Sequence, residues 1–253
     1  MTNPIFTILT ASYNGAPYIS DWLDSVVLQK YRPLEVVFVD DCSTDNTHEQ
    51  MAEVVKRLKK HDISLVVVKN EKRMHYADTQ LIAYQHSHGE FFGILDVDDA
   101  LAANSVDYIV ELYQKHANVG YIYTQFEKWD KTLTKRRGKG FSKIPPKKQN
   151  LLDMGARNIH AFSHWRTFSK RVGDVSQIWK KGQKCSVDKY MGYKLEEMAI
   201  GGFSGRVCYR YRFGTPGCIS NTERSRAVWR EVMKEASHRR KQGKIKAKPI
   251  VSL

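Results

Sequence analysis

Phe91-Phe92-Gly93-Ile94-Leu95-Asp96-Val97-Asp98-Asp99 decides how this chain is read. A short apolar, aromatic run opens directly into a cluster of carboxylates. The run has the length and residue types of a buried strand. Acids at the end of such a strand are costly unless they are hydrogen-bonded or bound to a cation. A second junction of the same kind lies upstream, where Leu34-Glu35-Val36-Val37-Phe38 leads into Val39-Asp40-Asp41-Cys42-Ser43-Thr44-Asp45. In an open α/β sheet, ligands sit at the carboxyl ends of the strands. The two junctions together predict a divalent-metal and nucleotide site on a parallel sheet.

Outward from these junctions, strand and helix signals alternate through the first 125 residues, as βαβ units require. Strands are expected at 6–10, 34–39, 64–68, 91–95 and 121–124. Helices are expected from Ser20 to Gln29, with Trp22, Leu23, Val26 and Val27 on one face, and from Asn46 to Lys60, where Glu49 completes a capping-box pattern. Two more are expected over 76–86 and from an Asn104 cap to His116. The fold class is α/β, a mostly parallel sheet flanked by helices. Beyond residue 125 the pattern changes. Lys131–Lys148 holds eight Lys/Arg, no acid and Pro145-Pro146, which reads as a mobile basic loop rather than a packed element. A helix is expected over Asp188–Met198, a strand over Phe203–Tyr211, a helix over Glu223–Arg240, and a disordered basic tail over Lys241–Leu253.

The 253 residues suffice for one large α/β domain, or for a domain with an appended lobe. No run of about 18 apolar residues occurs, so no membrane-spanning helix is expected. The N-terminus lacks a basic leader and enters a strand directly, which argues against a signal peptide. Cys42, Cys185, Cys208 and Cys218 show no CxxC spacing. Reduced thiols in a cytoplasm, the host's if the chain is phage-encoded, are expected rather than disulfides or zinc. The net charge of +14 is unevenly placed: residues 1–100 sum to −6 and residues 101–253 to +20. The basic half is expected to face something anionic.

Asp96, Asp98 and Asp99 are hard oxygen ligands of the kind Mg2+ or Mn2+ prefers. The first turn lacks a G-x-G-x-x-G fingerprint and no P-loop is present, which argues against a dinucleotide cofactor. In order along the chain, Thr10-Ala11-Ser12-Tyr13-Asn14-Gly15, Val39 through Asp45, and Gly89-Glu90-Phe91-Phe92 leading to Asp96-Val97-Asp98-Asp99 resemble the signatures of family 2 glycosyltransferases with the GT-A fold. The resemblance covers roughly residues 5–125 and returns more loosely at Val187-Asp188-Lys189-Tyr190 and Tyr209-Arg210-Tyr211-Arg212.

The resemblance implies an inverting enzyme that takes a sugar from a nucleoside diphosphate, a UDP-sugar first of all, with Mn2+ or Mg2+ as cofactor. It implies that Ser12 and Tyr13 hold the nucleobase and that Asp41 meets the base or ribose. Asp98, with Asp96 or Asp99, would hold the metal, and Asp96 and Arg73 would also contact the donor. Asp188 would be the catalytic base, with Glu196 or Glu197 next in line. The family's Tyr-Arg-x-His ending is altered here, since Gly214 stands where His is expected; His160 or His164 are the replacements to consider. Lys72, Arg73 and Arg212 are candidates to stabilise the diphosphate. The chain then divides into a nucleotide-sugar half, 1–125, an acceptor and base half, 126–240, and a tail, 241–253.

The basic half should choose the acceptor, through Lys135, Arg136, Arg137, Trp165 and Arg212. Two acceptors fit: a cell-envelope saccharide, or DNA carrying hydroxymethylated bases as some phage enzymes use. The segment Arg224–Lys248, with ten basic and two acidic residues, suits phosphate tracking. Trp129, Trp165 and Trp179 could stack on bases. A non-catalytic nucleic-acid-binding protein and a nucleotidyltransferase are the alternatives from other classes. The Asp41, Asp98 and Asp188 set argues against the first, and the missing Gly/Lys/Arg-rich first turn against the second.

Overall fold

Period-two alternation sends the strand side chains to two faces of one sheet. Phe6, Ile8, Val36, Phe38 and Phe91 enter one core; Leu9, Val37, Val39, Phe92 and Ile94 enter the other. The computed structural model describes residues 3–154, 161–215 and 222–253. In chain order the elements are β1 (Phe6–Ser12), α1 (Ile19–Val27), β2 (Leu34–Asp40), α2 (Met51–Lys60), β3 (Ile63–Lys69), α3 (His75–Gln85), β4 (Phe91–Ile94), β5 (Ala100–Leu101) and α4 (Ser105–Lys115). There follow β6 (Val119–Trp129), β7 (Arg136–Lys139), β8 (Arg166–Ser169), α5 (Val187–Met198), β9 (Ile200–Arg212), α6 (Glu223–Gln242) and β10 (Ile250–Ser252).

The sheet order is β10-β9-β6-β8-β4-β1-β2-β3, with β5 on β9 and β7 on β6. Along the main path only β8 is antiparallel to its neighbours. Helices α1, α2 and α4 cover one face through residues such as Trp22, Leu58 and Ile109. Helices α3, α5 and α6 cover the other through Leu81, Leu195 and Val232. The expected α/β class and mostly parallel sheet are what the chain forms. The regions 1–125 and 126–240 share this one sheet, because β8 inserts between β4 and β6.

Five local expectations are corrected. Helix α2 starts at Met51, not Asn46. The Asp45 carboxylate accepts from the Thr47 and Ala16 amides, so the chain there is spent on a turn tied to the end of β1. The Lys131–Lys148 segment is not wholly a loose loop, since Arg136–Lys139 pairs antiparallel with β6. The tail is not a disordered run: β10 pairs parallel with the start of β9, and Leu253 packs on the core. Trp165, expected at the acceptor, is fully buried; its Nε1 donates to the Ile94 carbonyl at 2.9 Å and its ring packs on Phe6. Trp179 is likewise core. A Cβ on Gly93 would come within 2.4 Å of the Trp165 ring, so this close packing requires glycine there.

Candidate active site

The carboxyl ends of β1, β2 and β4 point the same way, because the three strands are parallel. Their loops therefore meet. The turn after β1 is stitched to the turn after β2: the Asn14 amide donates to Ser43 Oγ, the Thr44 amide to Asn14 Oδ1, and the Gly15 amide to Thr47 Oγ1. A Cβ on Gly15 would touch Ser12 Oγ at 2.4 Å and Val97 at 3.0 Å, so glycine lets this turn lie against the acid loop. Asn14, Cys42, His75 and Ser186 all have positive φ. Left-handed conformations are costly for such residues and concentrate at sites; here they bend the loops that carry Tyr13, Asp41, Arg73 and Asp188.

Asp41 is buried and accepts from four donors: Asn70 Nδ2 at 2.8 Å, Arg73 Nη1 at 2.6 Å, the Met74 amide at 2.7 Å and the His75 amide at 2.9 Å. The expected contact of Asp41 with a base or ribose would require one of these to be given up. Arg73 is the exposed member of the pair, and its guanidinium lies 3.3 Å from the centre of the Tyr13 ring. Tyr13 is itself exposed. Together they offer a cation and an aromatic face at the rim. Ser12 is buried and its Oγ has no hydrogen-bond partner. Lys72 is exposed.

The acid loop is held from several sides. Asp96 accepts from the Tyr76 hydroxyl at 2.5 Å and from Arg166 Nη2 at 3.2 Å. Asp99 accepts from the Tyr209 hydroxyl at 2.8 Å and the Arg212 amide at 2.7 Å. Asp98 accepts from Thr215 Oγ1 at 2.9 Å. Burial and the charge on Asp96 push the Asp98 carboxyl above the usual range; burial with the charges on Asp98 and Asp96 pushes Asp99 well above it. Crowded carboxylates of this kind are what a divalent cation relieves, and their oxygens are the hard donors it takes. Ligand atoms of Asp96, Asp99 and His164 lie within 4.8 Å of one another. The donor set thus fits a divalent ion. The grouping departs from the expectation in that His164 joins Asp96 and Asp99, while Asp98 turns to Thr215. His164 is stacked on Tyr209 with ring centres 4.6 Å apart. His160 lies outside the described residues.

Asp188 stands in the first turn of α5, with Lys189 Nζ 2.7 Å from its Oδ2. Burial alone would raise its pKa, but Lys189, Arg166 and His164 outweigh burial and hold the carboxyl at about 2. Arg166 is a buried cation whose charge acts on both Asp96 and Asp188. It joins the acid loop to the expected base, and the sequence reading missed it. Its signal was weak: it follows an aromatic residue in a short strand whose faces sequence did not fix. Tyr76 and Thr215 were also missed, because hydroxyl residues at helix starts and loop ends are common.

Two further expectations are corrected. Arg212 does not reach outward to an acceptor or diphosphate. It is buried and donates to the carbonyls of Asp98 and Lys131 and to Asp21, so it clamps the acid loop. Glu196 and Glu197 lie at the other end of α5 in ion pairs with Arg239 and Arg240. Lys135, Arg136 and Arg137 are exposed on the β6–β7 hairpin, with Arg136 paired to Glu127.

A family model described as glycosyl transferase family 2 matches residues 7–173. A Bacillus subtilis (strain 168) protein named as a glycosyltransferase of teichuronic acid biosynthesis, TuaG, is 35% identical over 101 residues, covering 39% of this chain and 38% of TuaG. The chain thus spans well under half the length of that relative. Among solved structures, S. aureus TarS 1-349 in complex with UDP-GlcNAc superposes with a TM-score of 0.73 at 20% identity, covering 92% of this chain and 65% of TarS 1-349. A Pyrobaculum calidifontis mannosyltransferase in complex with GDP-Man and Mn2+ gives 0.60 at 19% identity, covering 98% and 67%. Both share the fold. No helix among the described residues is long and apolar enough to cross a membrane.

Proposed function

The chain belongs to glycosyl transferase family 2, and from that premise we propose that it moves a sugar, with inversion, from a nucleoside diphosphate to a hydroxyl of a cell-envelope-type saccharide. The observation that carries this reading is the buried Arg166, hydrogen-bonded to Asp96 of the acid loop and acting by its charge on Asp188, in a site whose β1 and β2 loops bring Tyr13 against Arg73. UDP is the favoured carrier, in keeping with the UDP-GlcNAc bound by TarS. Asp96, Asp98 and Asp99, with His164, are the residues that would hold Mn2+ or Mg2+. A divalent ion there supplies charge neutralisation of the departing diphosphate.

The chain's own groups do the rest. Tyr13 and Arg73 face the nucleobase side of the site. Asp188, kept ionised by Lys189, Arg166 and His164, accepts the acceptor hydroxyl's proton as that oxygen attacks. One displacement with one base gives inversion. The saccharide acceptor is favoured over hydroxymethylated DNA for two reasons. Relatives include a protein named for teichuronic acid biosynthesis, and two of the three tryptophans considered for base stacking, Trp165 and Trp179, are in the core.

Calorimetry with UDP tests the donor site. UDP should bind more tightly with Mn2+ or Mg2+ than in chelator, and Asp96→Ala should abolish that difference. Equal affinity under both conditions would remove the metal assignment. Mass spectrometry of an envelope-glycan panel and of hydroxymethylated DNA, each incubated with mixed nucleotide sugars, tests the acceptor: sugar added to DNA alone would overturn the saccharide reading.

A further inference from the structure

Helix α6 carries exposed cations along one line at Arg226, Arg230, Lys234 and Lys241. The first three are four residues apart, so they sit one turn above the next. The ion pairs that α6 makes use other residues: Glu235 with Lys180, and Arg239 and Arg240 with Glu197 and Glu196. None of these four cations is in those ion pairs, and with Glu223 and Glu231 as the exposed acids of the same helix the line remains net positive. The opposite side of the helix, at Trp229, Val232 and Ala236, is buried.

The row has a direction. Ser186 Oγ donates to the Ser225 carbonyl at 2.9 Å, two residues before Asp188. Trp229 Nε1 donates to the Tyr193 hydroxyl at 3.0 Å, and Arg240 pairs with Glu196. Helices α5 and α6 thus run side by side in the same sense. The row begins beside the Asp188 end of α5 and extends away from it for about 22 Å, at 1.5 Å per residue. Near its far end is a cavity of about 540 Å³ with Lys148, Lys246 and Lys248 in its wall, beside the paired Arg240 and Glu196.

We propose that this row is the track of an extended anionic glycan chain, whose reacting end reaches Asp188 while its remaining length lies along α6 towards the Lys246 cavity. The assignment rests on the glycosyltransferase reading of the Asp188 site. A narrow line of net positive charge along one helix suits one flexible chain of carboxylates or phosphates. The row has no aromatic side chain on which bases could stack, and no apolar side chain to enter a bilayer.

The test uses alginate oligosaccharides of graded length as the polyuronate probe, with dextran oligomers as the neutral control, in chelator and without donor. Wild-type affinity should rise with alginate length until the probe spans about 22 Å, and dextran should not bind. The triple variant Arg226→Gln, Arg230→Gln, Lys234→Gln changes exposed helix positions only. It should weaken long-alginate binding by roughly tenfold or more at low salt, and lower the slope of log affinity on log salt by about 2, since each neutralised anion releases counterion. UDP binding, measured in parallel, reports on the donor reading alone and should not differ between wild type and variant. Unchanged alginate binding in the triple variant would overturn the track. So would tighter wild-type binding to duplex DNA, or to phosphatidylglycerol vesicles, than to the longest alginate at the same salt.

Discussion

At the residue scale, the proposed reaction rests on Asp188 as base. Asp188→Asn keeps the shape but cannot take a proton, and turnover should fall roughly 10²-fold or more while UDP affinity holds. Steady-state kinetics beside calorimetry checks both halves of that statement. The cations around Asp188 also set its pH behaviour. With its pKa held at about 2, Asp188 is ionised across the whole working range, so it places no acid limb on the wild-type rate profile at neutral pH. Lys189 is the largest lowering influence. Lys189→Met should therefore move an acid limb upward, towards or above the ordinary carboxylate value of about 4. A profile unchanged from pH 4 to 7 would show that Lys189 does not tune the base. The sign for stability follows from the same depression: Asp188 stabilises the fold above its unfolded pKa, and that contribution is lost as pH falls towards 2. Denaturant titrations at pH 5 and pH 3 should show a smaller difference in Asp188→Asn than in wild type.

At the element scale, β8 and β10 hold more than their short lengths suggest. Trp165, just ahead of β8, fills the space above Gly93 and ties to the β4 carbonyl that precedes the acid loop. Trp165→Ala should cost about 3–5 kcal/mol, the range for a buried aromatic, and it should loosen Asp96 as well as the core. Both a lower denaturation midpoint and weaker UDP binding are expected. Strand β10 covers the edge of β9, and a Cβ on Gly202 would meet Leu253 at 2.3 Å. Removing residues 249–253 exposes that edge and the Leu253 contact. A loss of about 2 kcal/mol, or roughly 4–8 °C in melting temperature for a chain of this size, is expected. An unchanged melting temperature would mean that β10 contributes nothing to the sheet's stability.

At the scale of the whole molecule, the opposite charge of the two halves becomes a division of surface. The acidic half carries the loops proposed to hold the donor, and the basic half presents the β6–β7 hairpin and α6. Lys135 and Arg137 are exposed, whereas Arg136 is partly spent on Glu127. Neutralising all three should weaken use of an anionic acceptor and flatten its salt dependence, while transfer to a neutral oligosaccharide and hydrolysis of the donor hold. Equal losses with both acceptors would point to hairpin misfolding instead of lost charge.

The apolar strands, the helices on both faces and the acidic strand ends could be read from the chain itself, because they rest on local periodicity and on the cost of burying carboxylates. Asp41 and Asp96 were legible as candidates for the same reason, whereas Ser12, Tyr13 and Asp188 were marked by the resemblance to the family's signatures. What the sequence could not show is who partners whom. Arg212 and Trp165 look like surface cation and surface aromatic in one dimension; only the folded chain reveals that one clamps the acid loop and the other fills the core. Arg166 reaches the acid loop because β8, from late in the chain, enters between β4 and β6 in reverse. The tail becomes a strand because the edge of β9 stands open to it. Local pattern determines which elements form; long-range pairing, whose partners lie a hundred residues apart in sequence, decides which charges are spent and which remain for chemistry.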